Sequence, residues 1–318
     1  MKKFLTYCAI FCLPVLICAF LAEYLTRQVP NPYKYKYEWM QKHAEDVEIL
    51  VLGSSQTFYG VRPELFEGKV FNLANVSQGN KQNLFLLKYW ADRYKQLKTV
   101  IIPISLYTWF TPGLEQGVES YRCRYYRIYM DCDLYSDWSL NNLELSDRRT
   151  ALGKLEKYFS GDSSLGCDKY GWGNIYKLSE KNMGKWDDET EVETAVKMNT
   201  AGNWDYIEPN YNLLKEIAEF CQSRNIELIL VTPPCWTSYN KKCDSKQLAK
   251  MYELTHKFQQ EYHLTYLDYL KDPRFDADDF YDCNHLSDVG AIKFTKILIG
   301  DIKNNMQIET NTIYCNEE

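Results

Sequence analysis

Ser55 and His285 lie near opposite ends of the chain, in two short segments whose chemistry is complementary. Ser55 follows an apolar run and a glycine, and His285 follows Asp282 by three residues. A serine hydroxyl becomes an effective nucleophile when an imidazole takes its proton and a carboxylate fixes the tautomer of that imidazole. The chain contains only 4 histidines. These residues predict acyl transfer with Ser55 as nucleophile, His285 as general base and Asp282 as its orienting partner, although each segment alone is more typical of an ordinary loop.

The residues before Ser55 predict a strand that ends in a tight turn. Val47–Leu52 is an apolar run, and Gly53 permits a turn that presents a hydroxyl and a backbone N–H. In open α/β sheets, ligands bind beyond the carboxyl ends of the strands, which is where Ser55 falls. Position 57 is threonine, so the segment is not the G-x-S-x-G elbow of α/β-hydrolases. Gln56, directly after the serine, is expected to contact the substrate.

The elements that must position these residues are buried strands alternating with amphipathic helices. The predicted strands are Val47–Leu52, Val70–Ala74, Thr99–Leu106, Ile226–Thr232 and, more weakly, Leu264–Leu270. The predicted helices are Lys81–Leu97, Asn210–Arg224, Ser245–Tyr262 and a last one from Ser287 towards Asn304. The apolar runs are continuous rather than alternating, which is typical of strands buried on both faces of a parallel sheet. The fold class predicted is therefore a three-layer α/β/α domain around a central parallel sheet of about five strands.

One long segment interrupts this alternation. Residues 107–205 show no strand–helix–strand unit and hold five of the 8 tryptophans, so they are predicted to be an aromatic-rich insertion with short helices. The predicted organisation is a tether over 23–46, an α/β domain over 47–304 that contains the insertion, and a C-terminal tail over 305–318.

The N-terminus has the features of a membrane segment. Lys2 and Lys3 precede the apolar stretch Phe4–Ala22, and nineteen helical residues span about 28 Å, close to the thickness of a bilayer core. Positive charge ahead of such a segment favours a cytoplasmic N-terminus and an exported remainder. A cleaved signal peptide is the alternative, but the sequence has no A-x-A-like cleavage site. We therefore predict that residues 1–22 anchor a domain outside the cytoplasm, in the periplasm or at the cell surface.

The charge of the chain argues against nucleic-acid binding, and its cysteines permit disulfides without indicating a zinc site. The formal net charge of −6 does not provide the basic surface typical of nucleic-acid-binding proteins. No C-x-x-C or histidine-rich spacing indicates a zinc site, and no metal or other cofactor is predicted. Eight of the 11 cysteines lie outside the apolar stretch, which permits disulfides in an exported domain. The pairs nearest in sequence are Cys123 with Cys132 and Cys235 with Cys243.

The two segments together resemble the SGNH (GDSL-like) hydrolase superfamily. That family carries its nucleophile in a Gly-Asp-Ser block after the first strand and an Asp-x-x-His block before the last helix. The matching residues here are Gly53-Ser54-Ser55 and Asp282-Cys283-Asn284-His285. Ser54 in place of the aspartate is similar to a membrane-anchored subgroup that acts in cell-envelope acyl transfer. The resemblance covers roughly residues 47–106 and 207–304, and it implies the same triad of nucleophile, base and orienting carboxylate.

The resemblance also implies an oxyanion hole, and here the match is incomplete. The family uses the N–H of the serine, a glycine N–H after the second strand and an asparagine side chain after the third. Counting from Asn72 places Ser77 at the glycine position, and Ser105 stands where the asparagine is expected. The candidate donors are therefore Ser55, Ser77 or Gly79, and Ser105, Asn75 or Asn80.

Two functions of different classes follow from these observations. The first is an export-side serine esterase or O-acyltransferase that acts on acyl groups, acetyl above all, of a cell-envelope glycan or another envelope ester. Transfer would require a partner such as a membrane-bound O-acyltransferase, because one anchor helix cannot bring an acyl group across a membrane. Tyr107 and Trp236, which follow the third and fourth predicted strands, are expected to contact the substrate. The second function is a non-catalytic glycan-binding or assembly protein on an SGNH-like scaffold.

Overall fold

The computed structural model describes residues 2–116, 118–135, 139, 142–200 and 203–316. By its internal contacts, the chain divides into two compact units. The first unit comprises Met1–Tyr37 and Gly117–Leu165, and the second comprises Glu38–Gln116 and Gly166–Glu318. The helices of the described residues are α1 (Lys2–Gln28), α2 (Pro32–His43), α3 (Ser55–Gly60), α4 (Asn80–Tyr89), α5 (Leu106–Phe110), α6 (Cys123–Tyr129), α7 (Arg148–Ser160), α8 (Glu189–Thr200), α9 (Ile207–Ser223), α10 (Thr237–Lys242), α11 (Ser245–Tyr262) and α12 (Asp288–Asn316).

A five-stranded parallel sheet forms the centre of the second unit, with the strand order β2-β1-β3-β4-β5. Its strands are β1 (Ile49–Val51), β2 (Val70–Asn72), β3 (Thr99–Pro103), β4 (Glu227–Thr232) and β5 (Thr265–Asp268). A separate antiparallel pair, β6 (Phe280–Asp282) and β7 (His285–Leu286), precedes α12. The prediction of a parallel sheet of about five strands is confirmed. Each strand is shorter than the apolar run that predicted it.

Helices cover both faces of the sheet, which gives the predicted three-layer α/β/α arrangement. Val51 and Ile101 belong to one buried cluster with Phe294 and Leu298 of α12. Because successive strand residues point to opposite faces, neighbours such as Leu50 point to the other layer. On that other side, α4 packs against α9, and α5 packs against α9 and α11. The continuous apolar runs follow from this burial on two faces.

The segments flanking the sheet domain are more helical than the sequence predicted. Residues 23–46, predicted to be a tether, contain the end of α1 and all of α2, and the side chains of Tyr33 and Met40 are buried. The predicted tail from residue 305 continues α12 as far as Asn316. The insertion over 107–205 contains α6, α7 and α8; its residues 117–165 belong to the first unit, and its residues 107–116 and 166–205 belong to the second. The predicted domain boundaries stay predictions.

One helix among the described residues is long and apolar enough to cross a membrane. It covers Thr6–Gln28 of α1, with a mean hydropathy of 2.2 in its most apolar window. Every side chain from residue 10 to residue 21 is exposed. A helix with this length and composition is suited to a membrane anchor or to a signal sequence.

Candidate active site

Ser55 is the first residue of α3, directly after the turn that ends β1. Gly53 forms this turn with φ of +114°, in a region that favours glycine. A Cβ at this position would lie 2.2 Å from the ring of Pro103 at the end of β3, so the close approach also requires glycine. The sequence thus places Ser55 at the carboxyl end of the sheet through a turn that tolerates no side chain.

The structure brings Ser55, His285 and Asp282 together. The Ser55 Oγ lies 2.7 Å from Nε2 of His285, and Nδ1 of His285 lies 2.9 Å from both carboxylate oxygens of Asp282. With a proton on Nδ1, the imidazole donates to Asp282 and accepts from the serine hydroxyl. This is the arrangement in which an imidazole can act as the general base for a serine.

The β6–β7 hairpin fixes the relation between Asp282 and His285. The two residues face each other in the register of the hairpin, which explains their three-residue spacing. Asp282 Oδ1 also accepts the backbone N–H groups of Asn284 at 3.0 Å and of His285 at 2.9 Å. Burial alone would raise the pKa of Asp282, but the imidazole and these two N–H groups outweigh it and hold the pKa below its ordinary value. The carboxylate is therefore ionised at neutral pH.

A stack of three tyrosines lies beside the imidazole. The ring of Tyr176 is stacked between Tyr59 at 3.9 Å and Tyr281 at 4.2 Å, and it contacts His285 edge-to-face at 5.3 Å. The Tyr176 carbonyl accepts the N–H of Asp288 at the start of α12, which ties the insertion to the end of the hairpin. Sequence reasoning missed Tyr176, because the aromatic richness of the insertion was the only signal and it singled out no residue.

The backbone N–H groups of Ser55 and Ser77 could bind an oxyanion. Ser77 has φ of +56°, a left-handed conformation that favours glycine. Among the described residues, neither the N–H of Ser55 nor that of Ser77 has an acceptor. The Ser77 carbonyl accepts from the hydroxyl of Tyr107 at 2.7 Å, which holds this loop in place.

The other candidate oxyanion donors are already hydrogen-bonded within the protein. The N–H of Gly79 donates to Gln82 Oε1, and the N–H of Ser105 donates to Thr108 Oγ1. The Ser105 hydroxyl lies 3.4 Å from the same Thr108 oxygen and is the group at this position that could turn to a ligand. The Asn75 amide donates to Gln78 Oε1, and the Asn80 amide donates to the carbonyl of Thr108 and to Asn210 Oδ1.

A buried amide network supports both the Ser55 turn and the Ser77 loop. Asn83 Oδ1 accepts from the N–H of Gly53 at 3.0 Å and from Gln78 Nε2 at 2.8 Å. Gln78 Oε1 in turn accepts from the amide of Asn75, and all three amide side chains are buried. Sequence reasoning missed Asn83 and Gln78. The only signal was a group of uncharged polar residues between the second strand and its helix.

The expected substrate contacts do not all converge on the triad. Gln56 is buried, and its amide lies 3.3 Å from Cys235 Sγ and 3.5 Å from the carbonyl of Asn284, so it braces the hairpin. Trp236 lines a cleft of about 490 Å³ together with Phe275 and Phe280, and no triad residue belongs to the lining of this cleft. Tyr107 contacts the Ser77 loop, because its hydroxyl donates a hydrogen bond to the Ser77 carbonyl.

The thiol of Cys283 is not a competing nucleophile. Burial raises the pKa of Cys283, the residue between Asp282 and Asn284, to about 12, so its thiol is protonated at neutral pH. In the part of the chain that the structure describes, no group of three or more His, Cys, Asp or Glu residues could hold a metal ion.

No family model matches the chain, and no curated protein matches it in sequence. Among solved structures, it is similar to a candidate acylhydrolase from Bacteroides fragilis NCTC 9343, with 10% identity and a TM-score of 0.40 over 84% of this chain and 96% of that chain. It is also similar to a candidate platelet activating factor from Streptococcus pneumonia, with 12% identity and a TM-score of 0.39 over 90% of this chain and 96% of that one. With identities this low, neither likeness defines the activity of this chain.

Proposed function

We propose that the protein is an SGNH-type serine esterase or O-acyltransferase. The observation that carries this proposal is the continuous set of short contacts from Ser55 through His285 to Asp282. The three side chains come from two distant parts of the sequence and meet at the carboxyl end of a parallel sheet, where ligands bind in open α/β folds.

The proposed reaction begins with the attack of the Ser55 hydroxyl on an ester carbonyl. The Ser55 proton passes to Nε2 of His285, and the imidazolium is stabilised by the ionised Asp282. His285 then donates that proton to the leaving alcohol, which departs and leaves an acyl group on Ser55. Water or an acceptor hydroxyl gives its own proton to His285 and attacks the acyl-enzyme, which releases the acid or the new ester and restores the serine.

The oxyanion formed in both steps would be bound by the N–H groups of Ser55 and Ser77. Backbone donors that are held in place before the reaction stabilise the developing negative charge without further reorganisation. The left-handed conformation of Ser77 and the Asn83 network supply this preorganisation. In the proposed site the Ser105 hydroxyl stands in for the asparagine donor of the family.

The proposed location is the outer side of a membrane, with α1 retained as an anchor. The support is the apolar helix over Thr6–Gln28, preceded by Lys2 and Lys3. The proposed substrate is an acylated envelope glycan, with acetyl as the acyl group, and Tyr107 and Trp236 remain the proposed contacts to its sugar rings. In a transfer reaction, a membrane-bound O-acyltransferase would supply the acyl group.

Hydrolysis of p-nitrophenyl acetate by the full-length chain in detergent tests the proposal. Ser55→Ala should abolish turnover, whereas Ser54→Ala should stay within about twofold of the wild type, because the Ser54 side chain makes no capping bond to α3. Equal rates for wild type and Ser55→Ala would reject Ser55 as the nucleophile.

A non-catalytic glycan-binding role is the second candidate. It is favoured by the donors on the oxyanion side, since Gly79, Asn75 and Asn80 are all bonded within the protein. In that case the wild-type chain would bind an acetylated glycan in isothermal titration calorimetry with equal affinity before and after Ser55→Ala, and it would show no turnover of any ester.

A further inference from the structure

Helix α7 of the first unit exposes apolar side chains on one side. Leu152 is 56% exposed and Phe159 is 74% exposed. They are seven residues apart, which is about two helical turns, so they lie on the same face. Lys157, two residues before Phe159, lies about 200° around the helix from it. The helix therefore exposes two large apolar side chains on one face, where the exposed Glu156 also lies, and Lys157 on the opposite face.

The position of α7 along α1 is fixed by buried polar contacts. The carboxylate of Glu23 accepts the N–H groups of Glu144 and Leu145, each at 3.1 Å. Glu144 is fully buried and bonds Lys154 of α7 at 2.6 Å. Glu23 is the first residue after the apolar stretch of α1, and α7 packs against α1. Helix α7 is therefore held at the level where the apolar stretch ends.

Two basic residues at the start of α7 suit a phospholipid surface. Arg148 and Arg149 at its start are exposed, and among the described residues neither is paired with a carboxylate. Tyr158 at the other end of α7 is 41% exposed, and Tyr24 of α1 is 55% exposed. Aromatic rings and basic side chains are enriched at the boundary between a bilayer and water, where long basic side chains reach the headgroups.

We propose that α7 is an interfacial helix that lies in the headgroup region of the membrane that α1 crosses. The side chains of Leu152 and Phe159 enter the acyl-chain boundary, while Arg148 and Arg149 contact anionic headgroups. The proposal rests on the proposed retention of α1 as an anchor. Such a second attachment fixes the orientation of the first unit at the membrane surface, which a single spanning helix alone does not do.

Site-specific photo-crosslinking of the full-length chain in vesicles of phosphatidylcholine and phosphatidylglycerol tests this proposal. Benzoylphenylalanine replaces Phe159, Lys157 or Phe11 in three separate variants, and lipid adducts are quantified by mass spectrometry. All three positions are exposed or half-exposed, and circular dichroism checks that each variant is folded. Lys157 is the matched control on the same helix, and Phe11 reports on the anchor.

The expected result is a lipid adduct at positions 11 and 159 and at least fivefold less adduct at position 157. An adduct at position 11 with equal yields at 159 and 157 would overturn the interfacial helix and leave the anchor in place. No adduct at position 11 would overturn the anchor and the interfacial helix together. Neither outcome affects the test of Ser55 by ester hydrolysis, so failure of the catalytic proposal is recognised separately.

Discussion

The two sides of the candidate active site are built differently. On the proton-transfer side, three side chains, Ser55, His285 and Asp282, bond to one another at 2.7–2.9 Å. On the proposed oxyanion side, the side-chain amides are bonded within the protein, and among the described residues the candidate groups left for a ligand are the backbone N–H of Ser55 and of Ser77 and the Ser105 hydroxyl. The chemistry of the first side therefore depends mainly on the identity of its residues, whereas that of the second side depends mainly on the backbone conformation. Substitutions should affect the two sides very unequally.

Replacing His285 should have the largest effect on the proton-transfer side. His285→Ala removes the one hydrogen-bond partner that the Ser55 hydroxyl has among the described residues, and we expect kcat for p-nitrophenyl acetate to fall by about 10⁶-fold, as in other serine enzymes. His256→Ala is the control, since His256 is exposed on α11 and contacts Gln259. Similar losses in both variants would show that His285 has no special role.

Replacing the carboxylate should have a smaller but still large effect. Asp282→Asn keeps the shape of the side chain but favours the wrong tautomer of His285, and we expect kcat to fall by about 10⁴-fold. The pH–rate profile should also change its shape, because the imidazolium loses its partner. A loss below tenfold would indicate that Asp282 only shapes the hairpin.

The amide network should contribute to the stability of the fold. Asn83→Ala leaves the buried N–H of Gly53 and the amide of Gln78 without their acceptor, so we expect a loss of about 1–3 kcal/mol in the free energy of unfolding. Urea denaturation measures this loss, with exposed Lys81→Ala on the same helix as control. Equal stability of the two variants would contradict the supporting role of Asn83.

The pH dependence of stability should report on Asp282. Its folded pKa is below the ordinary value, so its contribution to stability is present above the unfolded pKa of about 3.9 and is lost as pH falls through the folded pKa. The difference in free energy of unfolding between wild type and Asp282→Asn should therefore shrink when the pH is lowered from 5 to 3. A difference that is constant over this range would contradict the depressed pKa.

Side-chain changes at Ser77 should have the smallest effect. Ser77→Ala and Ser77→Gly both keep the backbone N–H, and glycine also suits the left-handed φ of +56°. We expect both variants to stay within about threefold of the wild-type kcat. A loss of 10²-fold or more in both would show that the Ser77 hydroxyl, rather than its N–H, binds the oxyanion.

The contrast between the two sides also explains what the sequence could predict. The sheet was predictable because its strands are continuous apolar runs, and the triad was predictable because Asp282 and His285 are close in sequence and chemically distinctive. The proposed role of Ser77 followed in the sequence only from its spacing from Asn72. The bonds of Asn83 and the stack around Tyr176 depend on contacts between segments far apart in the chain, which local patterns do not encode. The division of the insertion before Gly117 and after Leu165 has the same origin.

The proposal that His285 activates Ser55 as a nucleophile is tested by the reaction of the protein with a fluorophosphonate, followed by peptide mass mapping. Such a reagent reports an activated serine whatever the natural ester is. We expect one adduct, on Ser55, which is absent in Ser55→Ala and strongly reduced in His285→Ala. An adduct on another serine, or labelling of Ser55 that does not depend on His285, would contradict the proposal.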